Sequence, residues 1–345
     1  MPGHLMQPTL QEARPGASAD LAALIGSADF TVGAATIVGI GTMGRQYLAA
    51  LRALGVPQIR ICSRSPEPLA AFQGTGIDTI SGGIERLACA PGPDELGIIA
   101  TPTASLAAAA ERLASLGFRR LLIEKPVSLR SAEIDRLARR LEQDGVDAVC
   151  AYNRVAYPSC HEVRACAARE GITSCTYTVT ERIKPDWPQR FPAEELARWG
   201  IANSLHVLSM AHGLIGLPAA WNGQRSGALP WHPSGAVFVG SGISERSIPF
   251  AYHADWGSTG RWSVEVHTRV ASYRLCPLEE VFRKVSTTAD WTPLPVAAFA
   301  PQVKAGIVEQ VAAMLHEDVR AALPLVSLRE AAALTRFGEG VFGYR

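Results

Sequence analysis

TIVGIGTMGRQYLAAL, residues 36–51, carries three glycines in a GxGxxG spacing, at Gly39, Gly41 and Gly44. Such a spacing also occurs in ordinary turns, so its meaning rests on its flanks. A β-branched apolar run, ATIV, precedes it, and a helical pattern, RQYLAALRALG, follows. Between a strand and a helix the three glycines have separate tasks. The first permits a tight turn, the second lets backbone amides approach a pyrophosphate, and the third lets helix and strand pack closely. The phosphates then rest on the helix N-terminus, with Thr42 and Met43 completing the loop.

Working outward, the runs QIRICS, ELGIIATP, RLLIEKP and AVCAYN alternate with the helical patterns SLAAAAERLASLG and SAEIDRLARRLEQDG. Short apolar runs separated by helices imply parallel strands joined by right-handed crossovers, a doubly wound α/β sheet over residues 35–153. Residues 1–34 read as an N-terminal extension holding a short helix, ADLAALIG. After about residue 155 the stretches TSCTYTVTER, AVFVGSGI, PFAYHADW and RWSVEVHTRVASYRL alternate with period two. That pattern predicts antiparallel strands with one face on a core, an α+β domain over 154–330, and a C-terminal helix over 331–345. Two domains also suit 345 residues, more than one core usually serves.

Lys plus Arg total 33 against 32 Asp plus Glu, which leaves no net field to gather nucleic acid or an anionic membrane surface. Small molecules are the expected partners. No apolar run reaches the roughly 20 residues needed to span a bilayer, and MPGHLMQPTLQEARPG lacks a charged segment followed by an apolar one, so a cytoplasmic protein is expected. The seven cysteines, at 62, 89, 150, 160, 166, 175 and 276, show no metal-ligand spacing. Buried, reduced thiols and no metal are expected.

At the end of the second strand an NAD-binding chain usually places Asp or Glu, which accepts the ribose hydroxyls. Here the end reads ICSRSPEP. Ser63, Arg64 and Ser65 could instead hold a 2′-phosphate through charge-assisted hydrogen bonds, which favours NADP(H), with NAD(H) as the other candidate. Arg64 as a solvated loop residue over the adenine is the competing reading.

With RLLIEKPVSL (120–129) the chain resembles the glucose-fructose oxidoreductase, inositol dehydrogenase and MocA (Gfo/Idh/MocA) family. The resemblance is carried by GIGTMG, by IIATPTASLAAAAERLASLGFRRLLIEKP, by AYNRVAYP and by NSLHVLSMAHGLIG, and covers roughly residues 35–340. It implies a Rossmann domain followed by a domain with a large open, mostly antiparallel sheet, whose outer face forms the contact of a homo-oligomer, dimer or tetramer. It implies hydride chemistry, with Glu124, Lys125 and Pro126 of the EKP motif beside the nicotinamide, a cis peptide before Pro126, and Thr101 and Pro102 shaping the cofactor loop. Lys125 suits the task physically: hydride transfer at an oxygen-bearing carbon needs a cation or proton donor at that oxygen. Tyr152, Asn153 and Arg154 leave the last Rossmann strand where the family lines its substrate cleft, and Tyr157 follows. ERIKPDWPQRF (181–191) carries Lys184 and Trp187 in a loop that either closes over a polar ligand or is simply exposed and charged.

Two departures stand out. The family's second-domain motif has an Asp four residues before its His and another three after it. Here His206 matches, but those positions hold Ala202 and Ser209. His206 must then act alone or with Asn203, Ser204 or Lys125. The family's TPxxxH histidine is Leu106. The expected protein is therefore an NADP-preferring oxidoreductase that interconverts a secondary alcohol and a ketone on a sugar, nucleotide-sugar or cyclic polyol. Lys125 and His206 are its catalytic residues. An NADPH-dependent imine or C=C reductase, or a non-catalytic NADP-binding regulator or scaffold, are the alternatives.

Overall fold

The computed structural model describes residues 16–88 and 90–344. The leader of the N-terminal extension, residues 1–15, and Cys89 lie outside the described residues.

The first layer is a parallel sheet of β1 (Ala34–Val38), β2 (Gln58–Ser63), β3 (Asp78–Ser81), β4 (Leu96–Ile99), β5 (Arg120–Glu124) and β6 (Asp147–Ala151), in the order β3-β2-β1-β4-β5-β6. Its central strands β1, β4 and β5 are short and nearly wholly buried because helices cover both faces, while the edge strand β3 is not. α1 (Ala17–Ser27), α2 (Thr42–Ala53), α3 (Leu106–Ser115) and α4 (Ser131–Gln143) belong to this layer. α4 shows why they are helices: Ile134, Leu137, Ala138 and Leu141 recur at helical spacing and are buried, while Arg136, Arg139 and Arg140 face outward.

The second sheet follows α5 (Pro158–Glu170). It contains β7 (Ile172–Thr180), β8 (Pro218–Ser226), β9 (Val237–Ser244), β10 (Pro249–Asp255), β11 (Trp262–Thr268), β12 (Ser272–Leu275), β13 (Val281–Lys284) and β14 (Thr292–Leu294). The order is β14-β13-β12-β11-β7-β10-β9-β8, antiparallel except where β10 pairs with β7 in parallel. Between β7 and β8 lie α6 (Trp187–Arg190), α7 (Ala193–Ala197) and α8 (Leu205–Ile215). Period-two alternation sends Tyr177, Val179, Phe250, Tyr252, Val264 and Val266 to an inner core face. The outer face leaves Val239 and Ile243 at 43% and 40% exposure. It is the face on which the resemblance places a subunit contact.

The domain division 154–330 needs correction. α9 (Ile307–Leu315), α10 (Glu317–Ala322) and β15 (Val326–Ser327) return to the first layer, where α9 packs on α2 and β15 pairs antiparallel with β6. Both additions have a physical reason. β15 gives the edge strand β6 hydrogen-bond partners, and Ile307, Val308, Val311 and Met314 join the core that α2 begins. α11 (Leu328–Phe342) then starts three residues before the expected 331, behind a capping box of Ser327 and Glu330, and wedges between α4 and the second sheet. Among the described residues no helix is long and apolar enough to cross a membrane, and no group of His, Cys, Asp or Glu could hold a metal.

Candidate active site

The glycine loop lies at the switch point between β1 and β4, where the crossovers leave in opposite directions. Gly39 has φ +96°, and a Cβ there would stand 2.5 Å from the Ala100 carbonyl oxygen; one on Gly44 would stand 2.0 Å from that of Gly39. Neither tolerates a side chain. Above Gly41 there is nothing within 4 Å, and α2 begins at Thr42 without a side-chain cap. Gly39 donates its N–H to Cys62 O, and Ala100 to Val38 O, each at 2.8 Å, so the loops after β1 and β4 are laced to neighbouring strands. Thr101 Oγ1 is buried with no partner. A clear space over a bare helix N-terminus, beside an orphaned hydroxyl, fits a dinucleotide phosphate.

Beyond β2, Ser63 is half-buried, and Arg64 and Ser65 are exposed on the rim of this site. A second arginine, Arg86, flanks the same rim. A Cβ on Gly83 would meet Arg64 Cγ at 3.1 Å, and one on Gly82 would meet Arg86 Cγ at 2.8 Å. Arg86 follows no motif, and only the β2–β3 pairing brings it there.

Lys125 leaves the carboxyl end of β5 across a cis bond to Pro126, and the next residue, Val127, is buried with φ +65°. This turn aims Nζ at the second domain, where it donates to Ala202 O at 2.7 Å. That carbonyl belongs to a single π-helical turn, Gly200–Ser204, whose widened ladder leads into α8. Burial lowers the Lys125 pKa from its ordinary value, and Arg154 and Lys304 add to the effect against an opposing pull from Glu124.

His206, in the first turn of α8, is buried, with Nδ1 lacking a partner and its ring 6.1 Å from Trp262. Burial, and then the charges of Lys125, Arg154 and Lys304, hold its pKa well below the usual imidazole value, so it is neutral at physiological pH. Arg154 lies across Trp262 at 5.0 Å and Tyr157 at 5.8 Å from the ring centroids. Tyr157 Oη donates to Glu279, and burial pushes its pKa up to about 12. Asn203 Nδ2 and Trp199 Nε1 both donate to Glu181 Oε1, at 2.9 and 3.1 Å.

Other expected residues have different surroundings. Glu124 turns inward and accepts from Tyr47 Oη at 2.6 Å, tying β5 to α2. Tyr152 is fully buried beside Cys150 and Thr335 and does not line the cleft. Alternation along β6 puts it on the same face as Cys150, toward α11. Asn153 is buried and donates Nδ2 to Ala305 O. Pro102 is exposed beside Thr101, and Met43 is half-buried next to Lys304, whose Nζ is 3.6 Å from its sulfur. Lys184 is exposed, and Trp187 packs on Trp199 and Phe191 rather than standing free. Glu181, Lys304, Trp262 and Glu279 were not singled out in the sequence. Glu181 had a signal, as the acid closing an alternating strand, whereas VKAGI around Lys304 matches no pattern.

The fold is that of NAD(P)-dependent oxidoreductases. Residues 34–152 match the GFO_IDH_MocA model, described as an oxidoreductase family with an NAD-binding Rossmann fold. That match covers the Rossmann layer, about a third of the chain. No curated protein sequence matches the chain. Among solved structures it is similar to a UDP-N-acetylglucosamine 3-dehydrogenase from Acidithiobacillus ferrooxidans, with 13% identity and TM-score 0.69, covering 90% of this chain and 96% of that one. It is also similar to an Agrobacterium radiobacter oxidoreductase in complex with NAD+, L-tartaric acid and magnesium, with 14% identity, TM-score 0.71 and coverage of 90% and 95%. A levoglucosan dehydrogenase in complex with NADH and L-sorbose matches with 16% identity, TM-score 0.70 and coverage of 90% and 96%.

Proposed function

We propose that the protein is an NADP-preferring dehydrogenase interconverting a secondary alcohol and a ketone on a sugar, nucleotide-sugar or cyclic polyol. The observation that carries this reading is Lys125: an ammonium at the carboxyl end of β5, fixed by Ala202 O four residues before His206 and close enough to disfavour that ring's charged form. The sugar-handling similar structures point the same way. The bound nicotinamide would supply or accept the hydride. Lys125 donates its proton to the forming alkoxide during reduction, and its lowered pKa eases the reverse transfer during oxidation. His206, uncharged and with a free ring nitrogen, orients the substrate hydroxyl. The glycine loop, Thr42 and Thr101 would seat the pyrophosphate, and Ser63, Arg64 and Ser65 the 2′-phosphate.

The test is an NADPH-depletion screen over keto-sugars and oxidised cyclitols, run beside Lys125→Met. Turnover of at least one compound is expected, with the variant slower by about 100-fold or more and its cofactor affinity nearly unchanged. In the reduction direction the rate should fall as pH rises through the lowered Lys125 pKa, a limb lying below the ordinary 10.5. Near-normal rates in Lys125→Met would refute the assigned role.

A further inference from the structure

Three cations from separate parts of the chain meet in one cleft. Lys125 comes from the end of β5, Arg154 from the turn after β6, and Lys304 from the segment before α9. They lie close enough that Arg154 and Lys304 each disfavour the charged form of Lys125, and Arg154 that of Lys304. Among the described residues, none of the three forms an ion pair. The acids nearest Arg154 are engaged elsewhere: Glu279 accepts from Tyr157, and Glu181 from Trp199 and Asn203.

Arg154 is the telling member. Its guanidinium lies over the Trp262 and Tyr157 rings, its Nε is buried with no partner, and its hydrogen bond from Nη1 to Asn153 Oδ1 is long at 3.5 Å. Gathering like charges away from water without a counter-charge is unfavourable, and aromatic faces compensate only in part. Lys304 is held in place as deliberately. Asn153 Nδ2 holds Ala305 O, Lys304 N–H donates to Gln46, and Gly306, with φ +77°, lets the chain pass where a Cβ would stand 2.0 Å from Asn153 O. A groove of about 670 Å³, lined by Gln46, Tyr157, Glu279 and Lys304 among others, opens beside these groups.

We propose that the substrate carries an anionic group, a carboxylate or a phosphate, which seats on the Arg154 guanidinium with Lys304 beside it, while Lys125 attends the reacting oxygen. A planar guanidinium pre-oriented by two rings favours bidentate capture of such a group. The proposal rests on the oxidoreductase reading and narrows its substrate class.

The test is calorimetric titration of the NADPH-loaded protein with D-glucuronate, glucose 6-phosphate and glucose. At least one of the two anions is expected to bind tenfold or more tightly than glucose, and which one does so separates carboxylate from phosphate. Arg154→Gln should bring that anion to the affinity of glucose, and Lys304→Gln should weaken it several-fold. NADPH affinity in Arg154→Gln should stay within about threefold of the unaltered protein, which also shows that the variant is folded. Three results would overturn the proposal: glucose binding as tightly as both anions, an anion preference intact in both variants, or NADPH affinity falling with Arg154→Gln as steeply as anion affinity. The last would assign the cation to the cofactor. Because binding is read without turnover, anion preference in a protein that reduces nothing in the screen would overturn the dehydrogenase reading alone. Turnover of neutral sugars without anion preference would overturn this proposal alone.

Discussion

At the scale of single residues, the cleft replaces a familiar pairing with another arrangement. Where the family's motif holds an aspartate before the histidine, this chain has Ala202, nearly buried, and its main-chain oxygen holds Lys125. Burial first, and then the three cations near it, hold the His206 pKa well below the usual imidazole value. The acids nearest Arg154 are engaged elsewhere, Glu181 by Trp199 and Asn203 and Glu279 by Tyr157. A neutral, unpaired imidazole serves as a positioning group, so His206→Asn, which keeps a donor at similar reach, should cost about tenfold or less in turnover. His206→Ala should cost more. Ala202→Asp should bring no gain, since the new carboxylate would have to be desolvated. Turnover and its pH profile for the three variants check this. A faster Ala202→Asp, or a His206→Asn as slow as Lys125→Met, would make His206 the principal acid or base.

At the scale of elements, the loop that follows β2 carries the choice of cofactor. It has no acid at its start, and pairing of β2 with β3 places Arg64 and Arg86 on one rim. NADP(H) should bind at least tenfold more tightly than NAD(H), a difference of about 1.4 kcal/mol that one phosphate–guanidinium contact can supply. Titration of both cofactors against Arg64→Ala and Arg86→Ala decides the matter: equal affinities in the unaltered protein, or a preference untouched by both changes, would exclude the rim as a 2′-phosphate site. Most helices and strands of this layer were legible in the sequence because their periodicities are local properties, whereas the short edge strand β3 and the returning α9, α10 and β15 were not. Tyr152 was misread at the same scale, since the face it takes depends on where β6 sits between two helix layers.

At the scale of the whole molecule, the C-terminal segment crosses back to close the first layer, and α9 brings one acid into the core with it. Glu309 is only 3% exposed, and burial pushes its carboxyl from 4.5 up to about 7. Its native pKa is raised, so its contribution is fully present below about 4.5 and is lost as pH rises through 7. Glu309→Gln should therefore stabilise the fold at pH 8, by about 1–3 kcal/mol, and give no gain near pH 4.5. Thermal melts at the two pH values test it; a gain of equal size at both would show that packing, not charge, is responsible. The return crossing also explains why some of the site was unreadable in one dimension. Glycine spacing, strand and helix periods and the EKP turn are encoded within a few residues of one another, and so the Rossmann layer and Lys125 could be read directly from the chain. Lys304, Glu181 and Arg86 acquire their places only when segments far apart in sequence pack together, because burial, partner and charge environment are properties of a three-dimensional neighbourhood and leave no local pattern.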